Sequence, residues 1–147
     1  MTIHLPLPPR ALSPNGRVAW PLKHKAMKWS KERVCEAMMG NGAKLGAERL
    51  CEALRGQNGG AVKMTMSVDA YPARAGMTPM RPVQLCCPVD DDNGAAACKG
   101  YRDAIAEVLQ VDDRHIRTLW TRMARPRDWG AEVHPNGVLI VEVRIIE

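Results

Sequence analysis

The sequence predicts an α+β fold, with a mixed β-sheet and two main helices packed against it. Segments that alternate like strands are interleaved with segments of helical period, in the order strand, helix, strand, helix, strand, strand. A length of 147 residues fits a single domain, predicted over 1–147. Because the chain contains no Phe and only 4% aromatic residues, we expect an aliphatic and Met-rich core without base-stacking platforms.

The N-terminal third predicts one strand followed by helix. Apolar residues alternate over residues 3–7, and the prolines that end this strand cannot donate to a neighbour, which predicts a sheet edge. A loop with a turn at residues 13–16 continues to Pro21. From about Lys25 to Arg55 apolar residues recur at helical spacing, and Gly40-Asn41-Gly42 predicts a break, so this segment is one helix or two.

The remaining two thirds predict three strands and a further helix. Strict alternation over residues 62–71 is typical of a half-buried strand, and a long loop over residues 72–89 leads from it to an acidic segment. A helix is expected from Asn93 to Gln110, with Asp92 or Asn93 as its N-cap. Strands are predicted over residues 116–124 and, after a Pro-Asn-Gly turn, over Val138 to Ile146.

Composition excludes several classes of protein. No apolar run is long enough to span a bilayer and the N-terminus lacks the order of a signal peptide, so we expect a cytoplasmic protein without a membrane partner. Five cysteines without a C-x-x-C pair favour reduced thiols. A zinc site built from Cys86, Cys87, Cys98 and His115 is conceivable, but adjacent cysteines are poor ligands for one tetrahedral ion.

The distribution of charge favours a polyanionic partner. The formal net charge is +5, and residues 1–34 contain seven cations against the single anion Glu32. The alternative is a basic surface that is merely solvated. The side chains predicted to contact DNA are Arg10, Arg17, Lys23, Lys25, Lys28, Arg114 and Arg117.

The segment Asp90-Asp91-Asp92-Asn93 is the candidate catalytic centre. Adjacent carboxylates repel one another, so they need a cation or full solvent exposure. In an extended segment Asp90 and Asp92 face the same way and can share a hard divalent ion, with Asp113 as a third ligand. Mg²⁺ is the expected ion, with Mn²⁺ able to replace it. The alternative is that the acidic residues only stabilise the N-terminus of the following helix.

Lys99 is the candidate for a catalytic cation. It lies two helical turns beyond Asp92, and long helical side chains lean toward the helix N-terminus, where an ammonium would stabilise charge on a bound phosphate. The alternative role is an i,i+4 ion pair with Asp103.

The succession of these short motifs resembles the RusA-type Holliday-junction resolvases. The motifs, in order, are Leu5-Pro6-Leu7-Pro8-Pro9, Ser13-Pro14-Asn15, Asp90-x-Asp92-Asn93, Lys99-x-x-x-Asp103-Ala104-Ile105 and Asp112-Asp113. The resemblance implies a homodimer that binds four-way DNA junctions and nicks two opposing strands symmetrically, in recombination, repair or a prophage setting, with no small-molecule cofactor. By position, Asp90 and Asp92 match the family's metal-binding pair, Asp113 its later essential aspartate and Lys99 its catalytic lysine.

The sequence departs from that family in two places. Lys99 lies three residues farther from the aspartate pair than in the shortest family pattern, and the residues before Asp90 lack the arginines that the family often has there. A straight helix over residues 94–110 would be about 26 Å long, which places Asp113 far from Asp92. One hypothesis is therefore that Asp113 reaches the site of the partner subunit. A catalytically inactive junction-binding or DNA-binding protein of the same fold is the alternative function.

Overall fold

A mixed sheet with helices packed on it forms the fold. The computed structural model describes residues 1–56, 63–72, 86–88, 90–123 and 136–146. Within these ranges the chain forms a four-stranded sheet and four helices, which confirms the α+β prediction and corrects the expected number of helices from two to four. The single domain over 1–147 stays a prediction.

The strands predicted from alternation are present. The sheet has the order β1-β4-β2-β3, where β1 is Thr2–Leu5, β2 is Lys63–Tyr71, β3 is Ile116–Arg122 and β4 is Val138–Ile146. Strand β3 is parallel to β2, and the other neighbours are antiparallel. Strand β1 lies at an edge of the sheet, as predicted, although it ends at Leu5, before the prolines on which that prediction rested. The predicted loop over 72–89 lies largely outside the described residues.

The end residues of the helices differ from those predicted. They are α1 (Trp20–Met38), α2 (Asn41–Gly56), α3 (Asp91–Ala97) and α4 (Lys99–Leu109). Helix α1 begins before the predicted Lys25, since Pro21 at its first turn has a φ already suited to a helix. The break before Asn41 confirms the two-helix alternative. The single helix expected from Asn93 to Gln110 was wrong, because the backbone of Cys98 leaves helical values (φ −81°, ψ 2°) and separates α3 from α4.

The core lies between one face of the sheet and the helices. Alternate residues of β2, from Met64 to Ala70, are fully buried, whereas their neighbours on the opposite face are partly exposed. Tyr101 of α4 reaches the N-terminal segment, where its hydroxyl donates to the carbonyl of Pro6 at 3.0 Å. As expected, the buried cluster consists mainly of Val, Ile, Leu, Met and Ala. In the described part of the chain, no helix has both the length and the apolarity needed to cross a membrane.

Helices α1 and α4 pack closely enough to leave only a narrow groove between them. A Cβ atom at Gly100 would lie 3.0 Å from the Cβ of Ser30, so a larger residue there would require the two helices to shift slightly apart. Lys31 of α1 also forms a salt bridge with Glu107 of α4. The groove has a volume of about 390 Å³ and is lined by His24, Met27, Lys28, Gly100, Asp103 and Glu107, among others.

Candidate functional site

The acidic segment begins helix α3 and lies in solvent. Asp90 is the N-cap and retains an extended backbone, whereas Asp91 and Asp92 form the first helical turn, and all three are exposed. The predicted N-cap at Asp92 or Asn93 was therefore wrong. The strand-like alternation predicted for Asp90 and Asp92 does not apply either, because successive residues in a helical turn do not alternate between two faces.

The position of α3 is fixed by contact with the end of strand β3. Gly94 packs directly on the indole of Trp120, where an added Cβ would lie 2.1 Å from a ring carbon. Within α3, Asn93 donates from its side-chain amide to the Asp90 carboxylate at 3.1 Å. The acidic segment is therefore held at the C-terminal end of β3 by a close contact that only glycine permits.

No described Lys or Arg forms an ion pair with Asp90, Asp91 or Asp92. The repulsion among these three neighbouring carboxylates is then offset by water, by the partial positive charge of the helix N-terminus, or by a cation from solution. Exposed carboxylate oxygens are the donors that Mg²⁺ prefers, and this ion commonly takes only one or two protein carboxylates. The donor chemistry of Asp90 and Asp92 therefore fits Mg²⁺.

Two arginines lie beside the segment that precedes the acidic residues. The backbone N–H of Cys86 donates to the carbonyl of Pro8 at 2.9 Å, which brings residues 86–88 alongside the N-terminal segment. Burial raises the pKa of the Cys87 thiol, and the charge and hydrogen bond of the Arg122 guanidinium oppose that rise. Burial and the neighbouring Cys87 likewise raise the pKa of Cys86, against the nearby charge of Arg10. Arg10 and Arg122 thus bring positive charge to a segment whose own sequence has none.

The predicted catalytic cation is held in an ion pair. Lys99 is the first residue of α4, and its Nζ lies 2.7 Å from Oδ2 of Asp103. This is the i,i+4 pair given above as the alternative role. Because 55% of the Lys99 side chain is exposed, the ion pair contributes little to the stability of the fold. The ammonium of Lys99 can also leave Asp103 for another anion.

Asp113 lies away from Asp90 and Asp92. It follows α4 in a short 3-10 turn, and Oδ2 accepts a hydrogen bond at 3.0 Å from the guanidinium of Arg102. That turn precedes β3, whereas α3 packs near the other end of the strand, about 20 Å away at the usual rise per residue.

The described residues contain no group of three His, Cys, Asp or Glu side chains placed to hold one metal ion. Within one chain, the structure therefore does not gather Asp113 with the acidic segment. Cys86, Cys87, Cys98 and His115 likewise form no such group.

The side chains predicted to hold DNA are all exposed, but they occupy different parts of the surface. Arg10 lies in a 3-10 turn before α1, and Lys23, Lys25 and Lys28 lie on the first turns of α1. The remaining three are Arg17, Arg114 and Arg117. Arg114 forms a salt bridge with Asp112 at 2.7 Å, and the hydrogen bond from the Arg114 backbone N–H lowers the pKa of that aspartate.

Comparison with known proteins gives one distant relative. An uncharacterized protein of Xylella fastidiosa (strain Temecula1 / ATCC 700964) is 34% identical over 115 residues. The aligned region covers 78% of this chain but only 61% of that relative. No protein-family model matches the chain. The printed description of that relative gives no function.

Three features of the site were missed by sequence reasoning. The proximity of Arg122 and Arg10 to residues 86–88 depends on the packing of separate elements. The partnership of Arg102 with Asp113 joins residues 11 apart on different elements. The exposed ring of Trp20 at the start of α1 is the third, since no sequence pattern singled out this residue. A useful signal was available for Arg122, which follows Trp120 by two residues and therefore points to the same face of β3.

Proposed function

We propose that this chain is a Mg²⁺-dependent endonuclease of the RusA resolvase type, which acts as a homodimer on four-way DNA junctions. The observation that carries the proposal is that helix α3, which begins with the exposed acidic segment, contacts two elements that carry arginines: strand β3, which ends at Arg122, and the turn that contains Arg10. No described Lys or Arg forms an ion pair with that acidic segment. A metal-dependent phosphodiesterase needs this combination, because carboxylates bind the ion and cations bind the phosphates.

Asp90 and Asp92 are the residues that would hold Mg²⁺, or Mn²⁺ in its place. When bound, such an ion supplies Lewis-acid stabilisation of charge on a phosphodiester. Arg10 and Arg122 hold the phosphate backbone next to these carboxylates. The guanidinium of Arg122 lies beside the Cys87 thiol and, because it is planar with several N–H donors, can bind two oxygens of a phosphate at once.

Lys99 stabilises negative charge on the phosphate after leaving Asp103. An exposed ammonium exchanges readily between a carboxylate and a phosphate, since both are anions in contact with water. We propose that Asp113 serves the partner subunit's site, because within its own chain it lies toward the opposite end of β3 and is bound by Arg102. A two-fold dimer then presents two equal sites to a junction of approximate two-fold symmetry.

The decisive experiment incubates the purified protein with an end-labelled synthetic four-way junction in Mg²⁺ or in EDTA. We expect paired nicks at symmetric positions in Mg²⁺ only, and no nicking of a linear duplex of the same length. Binding of the junction without nicking in Mg²⁺ or Mn²⁺ would overturn the proposal that this chain is a nuclease.

An inactive junction-binding protein is the second candidate. It is favoured by two ion pairs, Lys99–Asp103 and Arg102–Asp113. In these pairs, two of the four predicted catalytic residues, Lys99 and Asp113, already have a partner of opposite charge. This candidate retains the exposed basic surface and predicts junction binding whose affinity falls steeply with salt, without any dependence on a divalent ion.

Arg122→Ala is expected to weaken junction binding and to lower the slope of log affinity against log salt by about one, as loss of a phosphate contact does. The matched control is Arg144→Ala on β4, whose exposed side chain pairs with Glu142 and lies outside the site. Fluorescence anisotropy with a labelled junction at several salt concentrations measures both variants. Equal effects of the two substitutions would show that Arg122 adds only to the general charge.

A further inference from the structure

Trp20 presents a large aromatic ring to solvent at the start of α1. Its exposed fraction is 74%, the greatest for any described tryptophan, so this ring contributes little to the core. The ring stacks on His24, with centroids 5.2 Å apart and planes inclined by 18°. Stacking on the next helical turn restricts the rotation of the ring and holds it in place while leaving most of its surface accessible.

The segment of the sequence that carries this ring is strongly basic. Residues 10–31 contain six Lys or Arg residues and no Asp or Glu. Lys23, Lys25 and Lys28 are exposed and form no ion pair with any residue that the structure describes. An aromatic face beside free cations matches a nucleotide, because the ring accepts a base and the cations accept its phosphates.

We propose that Trp20, held by His24, is a stacking platform for an unpaired nucleobase at the branch point of bound DNA. The inference rests on the DNA-binding part of the proposed function and adds a recognition element to it. A second copy of the chain is a poorer occupant, because a two-fold contact through this surface would bring Lys23 and Lys25 of both subunits together, with like-charge repulsion.

The platform is connected to the candidate catalytic lysine through the groove between α1 and α4. His24 lines this groove at one position, and Asp103, the partner of Lys99, lines it at another. Lys28 and Lys31 lie along the same groove, and the two carboxylates in it, Asp103 and Glu107, are each paired with a lysine. A strand whose unpaired base stacks on Trp20 can therefore place its neighbouring phosphates along the groove, toward the Lys99–Asp103 pair.

The test compares three variants of the full chain. Trp20→Leu keeps an apolar side chain but removes the aromatic face, and Trp20→Phe keeps a smaller aromatic ring. Leu22→Ala is the matched control, since Leu22 is also exposed, at 56%, on the same helical turn. The probes are a fluorescein-labelled four-way junction with unpaired thymines at its centre and a fully paired linear duplex of equal length, at one salt concentration.

We expect Trp20→Leu to weaken binding of the junction by about 5- to 150-fold, the range that loss of one stacked base gives, while duplex binding stays the same. Trp20→Phe should lie between wild type and Trp20→Leu, and Leu22→Ala should match wild type. Equal losses for both probes, or no loss for either, would overturn the platform. It would also be overturned if Trp20→Leu changed the oligomeric state in light scattering while DNA affinity was unchanged.

The same assays separate this inference from the proposed nuclease. Wild-type protein that binds the junction selectively through Trp20 but does not nick it overturns the nuclease and keeps the platform. Protein that nicks equally well with Leu at position 20 and binds both probes as before overturns the platform and keeps the nuclease.

Discussion

Asp92→Asn is expected to reduce nicking of a four-way junction in Mg²⁺ by on the order of 100-fold or more, the scale on which loss of one group that stabilises transition-state charge acts. The substitution keeps the volume of the side chain and replaces an exposed carboxylate, so packing is unaffected. It removes one of the two negative donors proposed for the ion. Initial nicking rates under single-turnover conditions measure the effect, with junction affinity measured in parallel.

Asp91→Asn is the matched control for this prediction. Asp91 and Asp92 both lie in the first turn of α3, so either substitution removes a similar interaction with the helix N-terminus. That interaction contributes about 0.3–1 kcal/mol at an exposed site. If the acidic residues only stabilise the helix, both variants will show the same small loss in the free energy of unfolding and the same nicking rate. A selective loss for Asp92→Asn supports a ligand.

Mixing subunits tests the role of Asp113 in the proposed dimer. A heterodimer of Asp92→Asn and Asp113→Asn subunits has one intact site if each site takes Asp113 from its partner. It has no intact site if each site is built from one chain. Nicking of a single strand by the mixture, absent from either variant alone, is the expected result. Lack of any recovery in a confirmed heterodimer would place Asp113 outside the partner's site.

The strands were predictable because alternation depends on local burial. Strand β4 has the predicted ends, and β2 differs from the predicted 62–71 only at its first residue, which lies outside the described part. The order β1-β4-β2-β3 could not be obtained in the same way, since pairing joins residues from 52 to 140 positions apart. The break at Cys98 was also hidden, because the alanines before it have high helix propensity and the sequence there carries no proline.

The candidate site shows the same division between local and tertiary information. The residue types of the acidic segment were readable from the sequence, but their backbone was not, since an extended segment and a first helical turn were both compatible with Asp90-Asp91-Asp92. The ion pair of Lys99 with Asp103 followed from helical spacing. The arginines beside residues 86–88 come from a turn and a strand on either side in sequence, so only the folded chain brings them there.

Gly94→Ala is expected to destabilise the protein by about 1–3 kcal/mol or more, the usual cost of overpacking a rigid core. The new Cβ would lie 2.1 Å from the indole of Trp120, so α3 or the ring must move. Gly42→Ala is the control, since an added Cβ there meets no atom within 4 Å and Ala is the better helix former. In urea denaturation, the midpoint should therefore be lower than that of the wild type for Gly94→Ala and equal or higher for Gly42→Ala.

A double-mutant cycle shows whether contact between the new Cβ and the Trp120 ring causes the loss of stability. Trp120→Leu removes the ring that the new Cβ would meet, so Gly94→Ala should cost less in that background, with a coupling of about 0.5–3 kcal/mol. Strict additivity would mean that Gly94 is required for another reason. Because α3 begins with the acidic segment, a displaced helix also moves Asp90 and Asp92 relative to Arg122 at the end of β3. Under the proposed function, nicking by Gly94→Ala should fall even at urea-free conditions where the protein remains folded.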